Sequence, residues 1–172
     1  MAAVTSPWFP AAVHAVPTGA VYSILLLLHV GTAVVGFGAL VMTGVQARRA
    51  RKGPAGAGAE GVRRFFRPGV NWAARALYAV PVFGFALISA SKGAFTANDG
   101  FVIAGLGLWA VATVVAEFVV WPGERRIQEV VSTSWTVGTN DRFELACRRV
   151  ALAAGVLSVV FVVAVVLMVA QP

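Results

Sequence analysis

Four long runs of apolar residues, separated by shorter polar and charged stretches, form the main pattern of this chain. Each run covers about 20 residues or more. At a helical rise of about 1.5 Å per residue, that length crosses the roughly 30 Å hydrocarbon core of a bilayer. The pattern predicts an all-α, multi-pass membrane protein, an up-down bundle of four transmembrane helices at about 21–46, 71–91, 101–121 and 150–170.

The composition excludes an ordinary soluble domain. Of the 172 residues 59% are hydrophobic and only 12% charged, with a mean hydropathy of +0.81, whereas soluble domains carry about 25% charged residues. Residues 1–20 contain no Lys or Arg and are interrupted by prolines, so we expect a retained arm outside the membrane rather than a cleaved signal. Residues 21–172 then form one transmembrane domain.

Basic residues cluster in two of the three connections between the predicted helices. The first connection holds Arg48, Arg49, Arg51, Lys52, Arg63, Arg64 and Arg67, and the third holds Arg125, Arg126, Arg142, Arg148 and Arg149. Because cytoplasmic loops are enriched in Lys and Arg, we expect both connections inside and both termini outside. This topology also accounts for the net charge of +7 without a nucleic-acid partner, since the basic residues flank membrane helices.

The connections carry further signals. GPAGAGAEG at 53–61 predicts a flexible linker, and RRFFRP after it predicts a segment on the inner membrane surface. Pro122 predicts the end, or a kink, of the third helix. Apolar residues at helical spacing beyond it predict a short amphipathic surface helix, with Ile127, Val130, Val131 and Trp135 on one face. Asp141 and Glu144 resemble a capping pair, which predicts that the fourth helix begins before its apolar run.

The chain contains few residues suited to catalysis. It has no phosphate-binding glycine loop with a lysine, no HExxH or CxxC motif, and no serine, histidine and acid set that could assemble. We therefore assign no catalytic residues and no metal site, and the absence of these motifs leaves open whether the protein is an enzyme while favouring a non-enzymatic role. Cys147 is the single cysteine and cannot form an internal disulfide, so we interpret it as a small packing residue.

His29 is the strongest candidate for a functional side chain. It lies about 12 Å into the first helix, at about 1.5 Å per residue from residue 21, and Thr32, Ala33 and Gly36 follow on the same face. These small residues leave room beside the imidazole for another helix or for a flat macrocycle. One interpretation is a buried hydrogen bond to a neighbouring helix, and the other is axial ligation of haem b. The only other histidine, His14, precedes the first helix.

Arg75 and Glu117 are charged residues inside predicted spans. Each lies about one turn from the inner end of its helix, so their depths in the bilayer match. A lone charge at the centre of a spanning helix costs roughly 2.5 to 3.5 kcal/mol, and less near the interface. We therefore expect a structural ion pair between the two helices rather than a proton relay, which would need further polar residues toward the outer side.

Several segments carry a resemblance to known proteins: LLLLHVGTAVVGFGAL, VVWPGERRIQEV, RFELACRRVALAAGVL and VLMVAQP. Together they resemble the predicted integral membrane proteins of the domain of unknown function twenty-two sixty-nine, over most of residues 21–172. That resemblance implies four helices and no established activity. More distantly, His29 with its small neighbours resembles the copper-resistance D proteins and the haem-associated protoporphyrinogen oxidase-like membrane proteins. The second polar ligand implied by the oxidase-like group has no clear counterpart, since Lys92 lies at a helix end.

Two functions follow from these patterns. The first is a non-enzymatic structural or accessory subunit of a larger membrane complex, such as a respiratory one, which packs through Gly and Ala faces against itself or other subunits. The second is a haem b-binding membrane redox protein that uses His29. The preference for Arg over Lys and the abundance of Ala, Val and Gly are typical of GC-rich genomes, so we expect a bacterial inner membrane.

Overall fold

The computed structural model describes residues 19–55, 58–136 and 140–170, and within them the chain is helical apart from its connections. There are five helices in this part of the chain: α1 (Ala20–Ala50), α2 (Ala59–Phe65), α3 (Trp72–Ala90), α4 (Gly100–Thr133) and α5 (Asp141–Ala170). All but α2 are long and apolar enough to cross a membrane. The predicted all-α fold with four spanning helices is therefore confirmed, while the predicted arm, with His14, lies outside the described residues.

The first connection, between α1 and α3, contains a short helix. The RRFF segment forms the short helix α2, and its Val62 is buried against protein, as is Phe66 just after the helix. The segment therefore packs two of its apolar side chains into the protein, and its position on the inner membrane surface stays a prediction. The structure leaves residues 56 and 57 of the predicted linker outside its description.

Helix α4 continues through Pro122, so of the two outcomes predicted for that position the end of the helix is wrong, while the kink stays a prediction. A π-helical turn at Ala116–Val120 precedes the proline, and the N–H of Trp121 donates to the carbonyl of Ala116, five residues back. A proline lacks the N–H that continues an α-helix, and a turn of wider hydrogen bonding absorbs that loss without a break. The expected surface helix is the last part of α4, and Ile127 and Val131 on its apolar face are buried in the protein.

Helix α5 begins before its apolar run, as its polar first turn predicted. The capping residue is Asn140, whose side-chain oxygen accepts a hydrogen bond from the N–H of Phe143 at 3.0 Å. Asp141 is thus the first residue of the helix and not its cap. Glu144, the other member of the expected capping pair, instead accepts a hydrogen bond from Arg51 at the end of α1, at 2.5 Å.

The described chain divides into two regions along the bundle axis. We call residues 36–55, 58–78, 112–136 and 141–157 the basic end, and residues 20–35, 79–111 and 158–170 the far end. Every buried hydrophobic side chain in the described residues belongs to the basic end. There the indole N–H of Trp135 donates to the carbonyl of Ala50 at 3.2 Å, which joins the chain after α4 to the last turn of α1.

Helix α1 is central to the packing. It lies against α3 on one side and α5 on the other, and α5 in turn lies against α4. Helices α3 and α4 contact each other mainly in their basic-end halves, where Tyr78 contacts Trp121. The far-end halves of α3 and α4, both fully described, make few contacts with each other. The bundle is consequently open at the far end.

Candidate functional site

A cavity of about 460 Å³ occupies the far end, and all four spanning helices contribute to its wall. The wall is apolar, and its aromatic side chains are Tyr22, Phe37, Phe85, Phe95, Phe101, Trp109 and Phe161. No Asp, Glu, Lys or Arg is among the described residues that line it. Val34, Phe85 and Val169 at its rim are exposed, so the cavity opens sideways to the surroundings of the bundle.

His29 lies in this wall, and its ring is held by α3. Nδ1 of His29 is 2.9 Å from the carbonyl oxygen of Val80. A carbonyl oxygen can only accept, so Nδ1 carries the proton and the neutral imidazole keeps an acceptor lone pair on Nε2. Within residues 19–55, 58–136 and 140–170, no group lies within hydrogen-bond distance of Nε2. The histidine thus presents one fixed acceptor in an apolar cavity.

A glycine on α3 makes room for this ring. A Cβ atom at Gly84 would lie 3.3 Å from Cε1 and 3.5 Å from Nδ1 of His29, closer than most side chains approach one another. Gly84 therefore allows the imidazole to lie against the backbone of α3, one turn beyond the carbonyl that holds it.

Pro81 explains how α4 is attached near the same place. Proline has no N–H, so the carbonyl of Leu77, four residues earlier, lacks its usual helical donor. The indole N–H of Trp109 donates to that carbonyl at 2.9 Å. The bond ties α4 to α3 at the base of the cavity and leaves the indole of Trp109 with no N–H to offer a ligand.

The second group of polar side chains lies at the basic end and contains the expected pair. Nη1 of Arg75 is 3.7 Å from Oε1 of Glu117, within salt-bridge distance. The hydroxyl of Tyr78 donates to the same carboxylate oxygen, and Cζ of Arg75 lies 3.4 Å from the centre of the Trp121 ring. A guanidinium over an indole face gains a cation–π attraction. The Arg75 charge thus has two partners, both on α4.

A buried carboxylate, Glu124, lies one turn beyond this group on α4. Nδ2 of Asn71 donates to Oε1 of Glu124 at 3.4 Å and is 3.5 Å from the hydroxyl of Thr43 on α1. Asn71 also caps α3, because its side-chain oxygen accepts from the N–H of Ala74 at 3.2 Å. This one amide therefore joins α1, α3 and α4.

The structure separates the candidates that the sequence suggested. His29 is at the far end, whereas Arg75, Glu117 and the buried Cys147 are at the basic end. Sequence reasoning missed Tyr78, Gly84 and Trp109. Pro81 is a usable signal for Trp109, because a proline inside an apolar helix leaves a carbonyl that needs a donor. Nothing in the sequence indicates Gly84, whose importance depends on how α1 and α3 face each other.

These helices and their apolar surfaces define a multi-pass integral membrane protein. The chain belongs to the family described as "Predicted integral membrane protein (DUF2269)", whose model matches residues 23–172. No curated protein and no solved structure matches the chain. The more distant resemblance to copper-resistance D and protoporphyrinogen oxidase-like proteins consequently gains no support from these comparisons.

Proposed function

We propose that this protein binds a membrane-dissolved apolar molecule in the far-end cavity, and that His29 is the polar contact for that molecule. We place it in a bacterial inner membrane with the far end and both termini outside. The observation that carries the proposal is the acceptor Nε2, which meets no donor among the described residues and is fixed by the Nδ1 bond to Val80 inside an apolar cavity of about 460 Å³. Ligand sites commonly combine a mostly apolar wall with a few well-placed polar groups.

The test is the content of bound small molecules in protein purified in mild detergent. Ala33 lines the cavity on α1, and Ala33→Phe would fill part of it. Val35, two residues away, is exposed and does not line the cavity, so Val35→Phe is the matched control. We expect a co-purified ligand in the parent and the control, and a loss of most of it in Ala33→Phe. Equal content in all three proteins would contradict the proposal.

Haem b is one candidate occupant. Metal-ligating histidines commonly donate their second ring nitrogen to a carbonyl, as Nδ1 of His29 does, so Nε2 fits an axial ligand. The described wall offers no second histidine and no cation for the propionate groups, so it fits haem incompletely. An absorption spectrum decides the matter. A Soret band in the parent that is lost in His29→Phe supports haem, and a parent without the band contradicts it.

A role as an accessory subunit is the second candidate function, and one observation favours it. A Cβ atom added at Gly31 or Gly38 would meet nothing within 4 Å. The two glycines are seven residues apart, so they share a face of α1, and small residues let a neighbouring membrane helix approach closely. Gly36 and Gly44 cannot serve this purpose, because they already pack against α3 and α5 within the chain.

Photo-crosslinking in native membranes tests the subunit role. A photoreactive residue at position 38 should form an adduct with a protein, either another subunit or a second copy of this chain. The control is the same residue at the exposed Val159 on α5. Lipid adducts alone at both positions would contradict a subunit role through this face.

A further inference from the structure

We infer that the occupant of the far-end cavity is an isoprenoid hydroquinone, bound through a hydroxyl group that donates to Nε2 of His29. This inference rests on the proposed cavity function and specifies its ligand. It is argued from the polarity of the site, the character of its wall and the way in which it opens.

The polarity of the site selects a donor. Because Nδ1 of His29 is committed to the Val80 carbonyl, Nε2 can only accept a hydrogen bond while the ring is neutral. The described wall contains no charged side chain that would favour a charged ring. A bound molecule therefore needs an O–H or N–H directed at Nε2. A ketone or quinone carbonyl would place one acceptor against another.

Other polar groups near His29 do not change this selection. The hydroxyl of Thr32 donates within its own helix, to the carbonyls of Leu28 and His29. The indole N–H of Trp109 is used by the carbonyl of Leu77. Tyr22 lines the cavity seven residues before His29, on the same face of α1 and nearer the outer end of the bundle. Seven residues are about 10 Å along the helix axis, so the Tyr22 hydroxyl is a separate polar group nearer the outer end, and Nε2 is the acceptor at the level of Val80.

The wall suits an aromatic ring with an apolar tail. Phe37 and Phe161 stack with ring centres 5.0 Å apart, and Phe95 meets Phe101 edge-on at 5.7 Å. Aromatic side chains offer faces and edges on which a further ring packs favourably. The exposed rim residues leave a lateral opening through which a long hydrocarbon tail can extend into the bilayer. An isoprenoid hydroquinone supplies the hydroxyl donor, the flat ring and the tail in one molecule.

Redox state gives a specific test, because oxidation to the quinone removes the hydroxyl donors and leaves the shape similar. The probes are decylubiquinol, decylubiquinone and the dimethyl ether of the quinol, partitioned between protein-bearing and empty nanodiscs. The parent should bind the quinol about fivefold or more tightly than either other probe, as expected for one hydrogen bond to a buried acceptor. His29→Phe should bind all three with similar affinity, while the lipid-facing control Leu27→Phe should keep the preference.

The results that would overturn the inference are distinguishable from those that would also overturn the proposed cavity function. Equal binding of quinol and dimethyl ether by the parent, or a preference that survives in His29→Phe, would exclude the proposed hydrogen bond. If no probe binds while the parent still carries a ligand that Ala33→Phe loses, the ligand class is wrong but the cavity function stands. If Ala33→Phe and Val35→Phe retain equal amounts of co-purified ligand, the cavity function itself is wrong.

Discussion

The basic end and the far end of the bundle use the same four helices in different ways. At the basic end the helices are in close contact, and side chains such as Leu40, Leu77 and Leu157 are completely buried. At the far end the helices diverge, and large apolar side chains line a cavity or face outward. Apolar character alone therefore does not bring membrane helices together, since lipid solvates these side chains as well as protein does.

Small residues and polar groups account for the difference. At the basic end the space beside Gly36, Gly44 and Gly123 is filled by backbone or short side chains of the partner helix, whereas at the far end Gly84 and Gly105 are met by the longer side chains of His29 and Met168. Asn71 and the Arg75–Glu117 pair add polar contacts between helices at the same end. At the far end the described cross-helix hydrogen bonds are those of His29 and Trp109, and both go to carbonyls of α3.

The largest expected contrast is in accessibility from outside the cell. In intact cells, Asn98→Cys at the far end should react with a membrane-impermeant thiol reagent, and Gly58→Cys at the basic end should react only after permeabilisation. The parent, whose Cys147 is buried, is the control for background. Labelling of Gly58→Cys in intact cells would contradict the proposed topology.

The next contrast concerns packing. Gly36→Val should destabilise the protein by about 3 kcal/mol, because a Cβ atom there would lie 2.7 Å from the backbone nitrogen of Leu77. Gly155→Val is the control, since a Cβ atom at this exposed position meets nothing within 4 Å. Thermal unfolding in a mild detergent measures both. Similar unfolding temperatures for the two variants would mean that α1 and α3 do not pack as closely as described.

A smaller effect is expected from the ion pair. The Arg75 and Glu117 side chains are 23% and 44% exposed, so Glu117→Gln should cost about 1 to 2 kcal/mol, less than the roughly 3 to 5 for a fully buried pair. Replacing both by Leu should cost less than the single change. The more exposed Arg51–Glu144 pair, at 40% and 60%, provides the comparison, and Glu144→Gln should cost about 0 to 1 kcal/mol. If Glu117→Gln unfolds like the parent, the pair is not structural.

The smallest effect tests the tether at the base of the cavity. Trp109→Phe keeps an aromatic wall but removes the indole donor from the Leu77 carbonyl, which keeps only a backbone N–H at the end of its 3-10 turn, at a cost of about 1 kcal/mol. In a Pro81→Ala background residue 81 regains an N–H that can donate to the same carbonyl. The cost of Trp109→Phe should therefore shrink there, and a double-mutant cycle measures the difference. If Trp109→Phe costs the same in both backgrounds, the indole N–H does not replace the backbone donor that Pro81 lacks.

The apolar runs were sufficient to predict the number of spanning helices, because helix length in a bilayer depends mainly on local composition. The start of α5 was predictable from its polar first turn. The π-helical turn before Pro122 was not predicted, since no residue pattern in the sequence indicated it. Proline rules predicted an end or a kink of the helix at that position.

The candidate site was only partly predictable. His29 stood out because a histidine inside an apolar helix is rare; of its small neighbours Gly36 packs against α3, whereas Ala33 lines the cavity. Its partner is a backbone carbonyl, that of Val80, which no sequence pattern identifies. The cavity itself arises from the separation of α3 and α4, a tertiary property that local periodicity does not encode.

The π-helical turn at Ala116–Val120 also predicts where α4 tolerates a change of length. Such a turn holds one residue more than an α-helical turn. Deleting one residue inside it would restore plain α-helix and keep both flanking halves facing α5. The same deletion after Trp121 would rotate the rest of the helix by about 100° and turn Ile127 away from its neighbours. Among related sequences, a one-residue gap in α4 is therefore expected at this turn.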